Sequence, residues 1–312
     1  MSDRQAAEAV RTRIDWKYAL GLELTDPGFD FSVLSEFRTR LLTGNHEEQI
    51  LNILLARLKE RGWLERGGKQ RTDSTHILAA IRNLNRLESV GEPLRATLND
   101  LATVAPNWLG EWVPSDWFDR YSRAIEEYRL PKGIPARQAY AETIGRDGMQ
   151  LLSAIYDDGP DWLRQIPSVD ILRQTWVHQY FIDDGQIRLR SAKDLPPAGQ
   201  RYDSPYDPQA RYGNKRSTTW TGYKVHLTET CDENSIHLIT HVETTQAHIS
   251  DTDQTQTIHE ALASKALLPQ EHVVDAGYVD GTLLVDSLED FGIELIGPVR
   301  PDVSWQAKAP DG

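Results

Sequence analysis

The sequence has one cysteine, Cys231, which excludes both an internal disulfide framework and a cysteine-built metal cluster. No stretch of about 18 apolar residues, the length a membrane-spanning helix needs, occurs anywhere. The opening MSDRQAAEAVRTR lacks the apolar centre of a signal peptide. Internal repeats are absent too. With 39% hydrophobic and 26% charged residues, the 312-residue chain reads as a globular protein of one large domain or two ordinary ones, with a cytoplasmic location expected and no membrane partner. Positive charge is scarce: 34 Lys and Arg against 47 Asp and Glu give a net of −13, which does not suggest nucleic acid. The deficit is uneven. Residues 1–90 hold 14 basic and 13 acidic groups, so the negative excess sits in residues 91–312. Excess acid there fits either a solubilising surface or carboxylates gathered to hold a cation.

Residues 1–62 read as helices. Ala6, Val10, Ile14 and Tyr18 fall at helical spacing behind a capping Asp3, a second helix starts at Ser32, and a third runs from about His46 to Arg61 with Ile50, Ile53, Leu54 and Leu58 on one face. Arg4, Arg11, Arg13, Arg38 and Arg40 on short helices suit a helix-turn-helix-like DNA module, and equally a helical cap with a solvated basic face. Lys69 to Leu78 alternates as a strand. From Ala79 to about Trp176 the pattern is helical, with five of the nine tryptophans, which at this spacing read as packing more than as stacking platforms for bases. Residues 183–217 are polar and turn-rich. Period two then returns: Tyr223–Thr228 and Ile236–Glu243 form a hairpin about Asp232-Glu233-Asn234, Ser250-Asp251 caps a helix, His272–Asp275 is a buried strand, and a helix from about Val279 to Phe291 precedes a last strand, Ile293–Ile296. The order predicts a mixed α/β sheet interrupted by a helical insertion after its first strand.

Asp73 lies in that first strand and Asp275 at the carboxyl end of the fourth. Ligands collect at the carboxyl ends of strands in open α/β sheets, so the two carboxylates are expected to converge. Converging carboxylates repel unless a cation lies between them, and hard oxygen ligands without cysteine point to Mg²⁺ or Mn²⁺. A divalent ion held this way activates a water or sugar hydroxyl and stabilises the leaving oxygen of a phosphodiester.

Four motifs occur in order: Arg71-Thr72-Asp73-Ser74-Thr75-His76, then Ser204-Pro205-Tyr206-Asp207-Pro208-Gln209-Ala210-Arg211-Tyr212, then Trp220-Thr221-Gly222-Tyr223-Lys224-Val225-His226, then Val274-Asp275-Ala276-Gly277-Tyr278. Together they resemble the DDE transposases of bacterial insertion sequences, in the group with an InsH-type helical N-terminal domain before an RNase H-like core. The resemblance implies that Asp73 and Asp275 are catalytic aspartates holding the metal ions for DNA strand cleavage and transfer, with DNA ends and target as partners and a homo-oligomer as the working form. Arg211, Lys215, Arg216 and Lys224 around the hairpin are then expected to contact phosphates, although Arg211 and Lys215 are also placed to pair with Asp203 or Asp207. The expected division is a helical N-terminal domain at 1–66, the first core strand within 67–90, a helical Trp-rich insertion at 91–182, and the rest of the core at 183–312.

Such enzymes need a third carboxylate, a Glu on a helix well beyond the second Asp. Glu289 lies on the helix directly after Asp275 and Glu294 in a strand, so neither suits, and the expectation is a chain truncated at both ends and inactive. Loss of the final helix is expected to leave one sheet face apolar and exposed. The alternative is a non-catalytic DNA-binding or inhibitory remnant; a host nuclease of the same fold fits the ordered motifs less well. A zinc site among His226, His237, His241 and His248 is disfavoured, because His237 and His241 in one strand stand about 13 Å apart at a rise of ~3.3 Å per residue.

Overall fold

The computed structural model describes residues 1–44, 46–64, 66–79, 84–215, 218–233 and 235–298. Helix α1 (Asp3–Thr12) is started by Ser2, not Asp3: the Ser2 hydroxyl accepts from the Gln5 N–H, and the Gln5 side chain accepts from the Ser2 N–H. The chain breaks at Arg13 before α2 (Ile14–Leu20), so the expected single helix is two. Ala7, Ala9 and Val10 are buried, while Ile14 and Tyr18 are 70% and 88% exposed. Helix α3 (Ser32–Thr43) starts at the expected Ser32 and is tied to α1 by Arg38 on Asp3.

Helix α4 (Glu47–Glu60) has the expected bounds but a different buried face. Leu51, Leu55 and Leu58 pack into the core of the main sheet, while Ile50, Ile53 and Leu54 stay about half exposed. Two apolar stripes compete on this helix, and docking against the sheet layer selects between them. Helix α4 thus shares the sheet's core, although the sequence grouped it with the N-terminal helices.

Strand β1 (Lys69–Leu78) is followed by the insertion: α5 (Arg86–Val104), α6 (Pro106–Trp112), α7 (Asp116–Tyr121), α8 (Ile134–Ser153), α9 (Pro167–Gln179) and a small hairpin of β2 (Tyr180–Asp183) and β3 (Gln186–Leu189). Its core holds Leu87, Val90, Leu94, Ile144, Leu172, Trp176 and Ile187, so the unit starts before residue 91 and ends beyond 182. Trp108, Trp112, Trp117 and Tyr121 meet edge to face in series, and Trp176 donates to the Gly145 carbonyl, so these rings serve packing.

The main sheet continues with β4 (Arg211–Lys215), β5 (Thr218–Thr230), β6 (Ile239–Gln246), α10 (Thr252–Ser264), β7 (Glu271–Val274), α11 (Gly281–Phe291) and β8 (Glu294–Ile296). Its order is β4–β5–β1–β7–β8, with β6 also on β5. Strands β4, β6 and β1 are antiparallel to β5, while β1, β7 and β8 are mutually parallel. The fold is therefore mixed α/β, as expected. Ile258, Leu262 and Leu267 from α10 and its following turn join α4 over one face; Leu227, Val242 and Ile296 are exposed on the sheet.

The insertion is fastened to the rest through Glu92 of α5, which is 1% exposed. Its carboxylate accepts from Arg95 at 2.9 Å, from the Tyr206 hydroxyl and from the Ile125 N–H. Burial alone would raise this carboxyl's pKa, but those three donors hold it below the usual range. Removing the acceptor leaves the largely buried Arg95 guanidinium without its carboxylate. We expect Glu92→Ala to cost about 3 kcal/mol, as for other broken buried pairs, read as a lowered urea midpoint at unchanged slope.

Candidate metal centre and its surroundings

Strand register builds the site. In the parallel pair β1–β7, Thr72 lies opposite Val274, so Asp73 is the next residue of β1 and Asp275 the first residue after β7. Neighbouring strands are about 4.8 Å apart. Both aspartates are exposed. The Asp73 carboxylate accepts from the Ser74 N–H at 2.7 Å, and that of Asp275 from the Gly277 N–H at 2.7 Å, which turns it across the end of β7.

A third carboxylate borders them, one that the sequence pattern assigned to capping. Asp251, at the start of α10, makes no side-chain cap bond. Instead it accepts from Lys224 Nζ at 2.7 Å and from the Ser74 hydroxyl at 3.2 Å, in an ion pair whose side chains are only 12% and 11% exposed. Gly277 shows how closely Asp251 and Asp275 approach: a Cβ placed there would lie 2.8 Å from Asp275 Oδ1 and 3.1 Å from Asp251 Oδ2. Below them Tyr278 is fully buried, with its hydroxyl 2.6 Å from His226 Nδ1. Burial, joined by the charges of Asp251, Asp73 and Asp275, raises its pKa well above the ordinary range, so it stays a neutral phenol. The Asp-Ala-Gly-Tyr motif thus combines an exposed carboxylate, a gap too tight for a side chain, and a buried hydroxyl beneath.

Next to this group a polar chain crosses the buried face of the sheet. Thr72 Oγ1 is 2.7 Å from both Thr228 Oγ1 and His272 Nε2, and His272 Nδ1 is 2.8 Å from His259 Nε2. His241 is buried on β6, with Nδ1 3.0 Å from Lys265 Nζ. His226 contacts Tyr278 and Thr245, while His237 and His248 are exposed, so the four histidines weighed for zinc do not gather. Among the described residues no three His, Cys, Asp or Glu side chains form a metal-holding group. Asp73 and Asp275 nonetheless offer hard oxygen donors in neighbouring positions, and one or two carboxylates with waters suit Mg²⁺. Asp251 is already committed to Lys224. Glu289 and Glu294 are exposed on α11 and β8.

The cations expected on phosphates are placed differently from one another. Arg211 donates to the carbonyls of Gly199, Pro208 and Ala210, and its guanidinium lies 5.0 Å from the Tyr202 ring centre, so it staples a turn; among the described residues neither Asp203 nor Asp207 pairs with it. Lys224 serves Asp251 and the Ile249 carbonyl. Arg211 and Lys224 thus both have partners within the chain. Lys215 is exposed at the end of β4, and Arg216 lies outside the described residues. Asp207 accepts from the Tyr223 hydroxyl at 2.7 Å, so the second motif, through Tyr206 and Asp207, joins the insertion and β5 to one turn. On the N-terminal helices Arg11, Arg13, Arg38 and Arg40 are paired with Glu8, Asp15, Asp3 and Glu36, and Arg4 lies over Phe31. Exposed pairs of this kind contribute little and exchange readily for other anions.

No curated protein and no solved structure matches the chain. No helix among the described residues is long and apolar enough to cross a membrane. Residues 1–40, which span α1, α2 and most of α3, match the family described as a transposase domain (DUF772), and this match supports a transposase-family protein.

Proposed function

We propose that the chain is a DDE-type transposase whose sheet has the RNase H-like arrangement, with Asp73 and Asp275 as metal ligands for DNA strand cleavage and strand transfer. The observation that supports this reading is the register: the exposed Asp73 of β1 and the exposed Asp275 just past β7 each directly follow a pair, Thr72 and Val274, on adjacent parallel strands. The strand order β4–β5–β1–β7–β8, antiparallel on one side of β1 and parallel on the other, agrees with it, as does the transposase-domain match. A Mg²⁺ or Mn²⁺ ion held there would activate the attacking oxygen and stabilise the leaving one. The chain's own residues do the positioning. Hydrogen bonds from the Ser74 and Gly277 N–H groups orient the carboxylates, and Lys224 neutralises Asp251 so that one fewer negative charge opposes an incoming phosphate.

A second reading, DNA binding without strand transfer, is favoured by the absence of a three-carboxylate group among the described residues. Two measurements separate them. Electron paramagnetic resonance should show one Mn²⁺ per chain, with affinity at least about tenfold lower in Asp73→Asn or Asp275→Asn, the loss of ~1.4 kcal/mol or more per ligand. Unchanged binding in both variants would rule out the metal centre. Nicking of supercoiled plasmid with Mn²⁺, abolished by Asp275→Asn, supports the enzyme; plasmid binding without nicking supports the second reading.

A further inference from the structure

Two cavities share a wall, and the nearer opens beside the candidate metal centre. The nearer, of about 530 Å³, extends from Gly277 and Asp251 past Lys224 to Lys215. The farther, of about 340 Å³, is lined by Arg86 and Arg201 where the insertion meets β4 and β5. Tyr212 and Trp220 line both. Register gives the span: Asp73 lies opposite Leu227, Leu78 lies opposite Gly222, and the Ala79 N–H donates to the Thr221 carbonyl beside the farther cavity. From Asp73 to that level is roughly 20 Å at ~3.3 Å per strand residue.

Among the described residues, no carboxylate pairs with the arginines of the farther cavity. Arg86 donates to the Arg190 carbonyl and, at 3.5 Å, to the Gln179 side chain. Arg201 has its Nε buried with no hydrogen-bond partner. Burial lowers the Arg86 pKa and the nearby Arg201 pushes it the same way, a sign that the two cations repel. The one carboxylate lining this cavity, Asp203, accepts from the Tyr212 N–H at 2.9 Å; burial raises its pKa, while the charges of Arg201 and Arg211 act against that rise without a direct ion pair among the described residues. Guanidinium groups stay charged. Two of them together in a half-buried cleft, one with an unmet donor, are matched by an anion that accepts from both.

We propose that this cleft binds a backbone phosphate of a single DNA strand whose scissile phosphodiester lies at Asp73 and Asp275. The strand would run through the nearer cavity past Lys215 and along the Tyr212 ring. The proposal rests on the transposase reading and locates its substrate track. A span of roughly 20 Å covers at most about six nucleotides, the number reached at the 3.4 Å rise of a stacked strand, and a cavity of about 340 Å³ is too small for a duplex.

The test is fluorescence anisotropy of a labelled single-stranded oligothymidylate of about ten nucleotides across a salt series, in metal-free buffer. Arg201→Gln should weaken binding about tenfold and reduce the slope of log affinity against log salt by about 0.7, the value for one phosphate contact on single strands. Arg201→Lys should restore most of the slope. Because no hydrogen bond from Arg201 ties elements of the fold together among the described residues, melting of both variants should match the parent chain. Arg201→Gln binding with parental affinity and slope overturns the proposal, as does an equal loss on a duplex of the same length. The same samples separate this from the metal reading. Arg201→Gln should keep Mn²⁺ affinity, and Asp275→Asn should lose Mn²⁺ while keeping the oligonucleotide. A parent chain that binds no Mn²⁺ defeats the metal centre and leaves the Arg201 result to be judged by itself.

Discussion

Acidification from pH 6.5 to pH 4 should unfold this protein, with uptake of about three protons by buried histidines. Burial pushes His272 down to about 3, with the neighbouring His259 pushing the same way; burial takes His259 to about 4; and burial, aided by the Lys265 ammonium, takes His241 to about 4. In the unfolded chain each titrates near 6.5. The folded values are lowered, so below pH 6.5 the unfolded chain binds protons that the folded chain refuses. The histidine contribution is complete above pH 6.5 and falls with pH by about 1.4 kcal/mol per unit for each histidine, until the folded values are reached. Several kcal/mol are lost this way, against a total stability of roughly 5–15 kcal/mol for a typical domain. Geometry adds to this: His272 is fully buried between Thr72 Oγ1 and His259 Nε2, so a charged ring there faces a hydroxyl and a second imidazole, neither of them a counter-ion. Circular dichroism against pH, with potentiometric counting of protons, provides the measurement. His259→Gln should flatten the pH slope by about one proton. A chain that stays folded to pH 3 would show that these rings charge without unfolding.

Gly222→Ala should be the most damaging single methyl group in the main sheet. A Cβ at Gly222 would lie 2.2 Å from the Ile77 carbonyl oxygen and 2.6 Å from the Ala79 nitrogen, and its φ is +153°. The obstacles are backbone atoms of β1, which cannot rotate away as a side chain would. Relief requires β5 to separate from the end of β1, breaking the Ala79 N–H to Thr221 carbonyl bond and disturbing the Gly222 pairing with both Leu78 and Arg211. We expect a loss above ~4 kcal/mol, in the range reserved for strain and core disruption. Gly292→Ala supplies the comparison. Gly292 has φ +67° and nothing within 4 Å of where a Cβ would lie, so only the left-handed backbone cost of about 1–2 kcal/mol applies. Equal urea midpoints for the two variants would refute the collision argument.

Much of the site's frame was legible in the sequence, because it depends on near neighbours. Alternation located β1 and β5; a short buried run located β7, with Asp275 at its end; and the turn at Asp232 fixed the hairpin. Those local patterns placed Asp73 within β1 and Asp275 at the end of the short run that forms β7. Asp251 was legible only as a helix cap, since an Asp ahead of a helix has the same local signature whether it caps or pairs elsewhere. Its commitment to Lys224 and Ser74 depends on the register of β5 against β1, where Ser74 lies opposite His226 and His76 opposite Lys224.

Most element types, the mixed α/β class and the positions of Asp73 in β1 and Asp275 after β7 follow from the residues alone, because backbone propensity and hydrophobic period act over a few positions. Three-dimensional packing was needed to choose which stripe of α4 is buried, to explain why Tyr206 and Asp207 stand in their motif, and to bring Arg86 and Arg201 to one cleft. Those outcomes depend on contacts between residues tens to hundreds of positions apart, where many pairings satisfy the same local pattern and only packing of the whole layer chooses one.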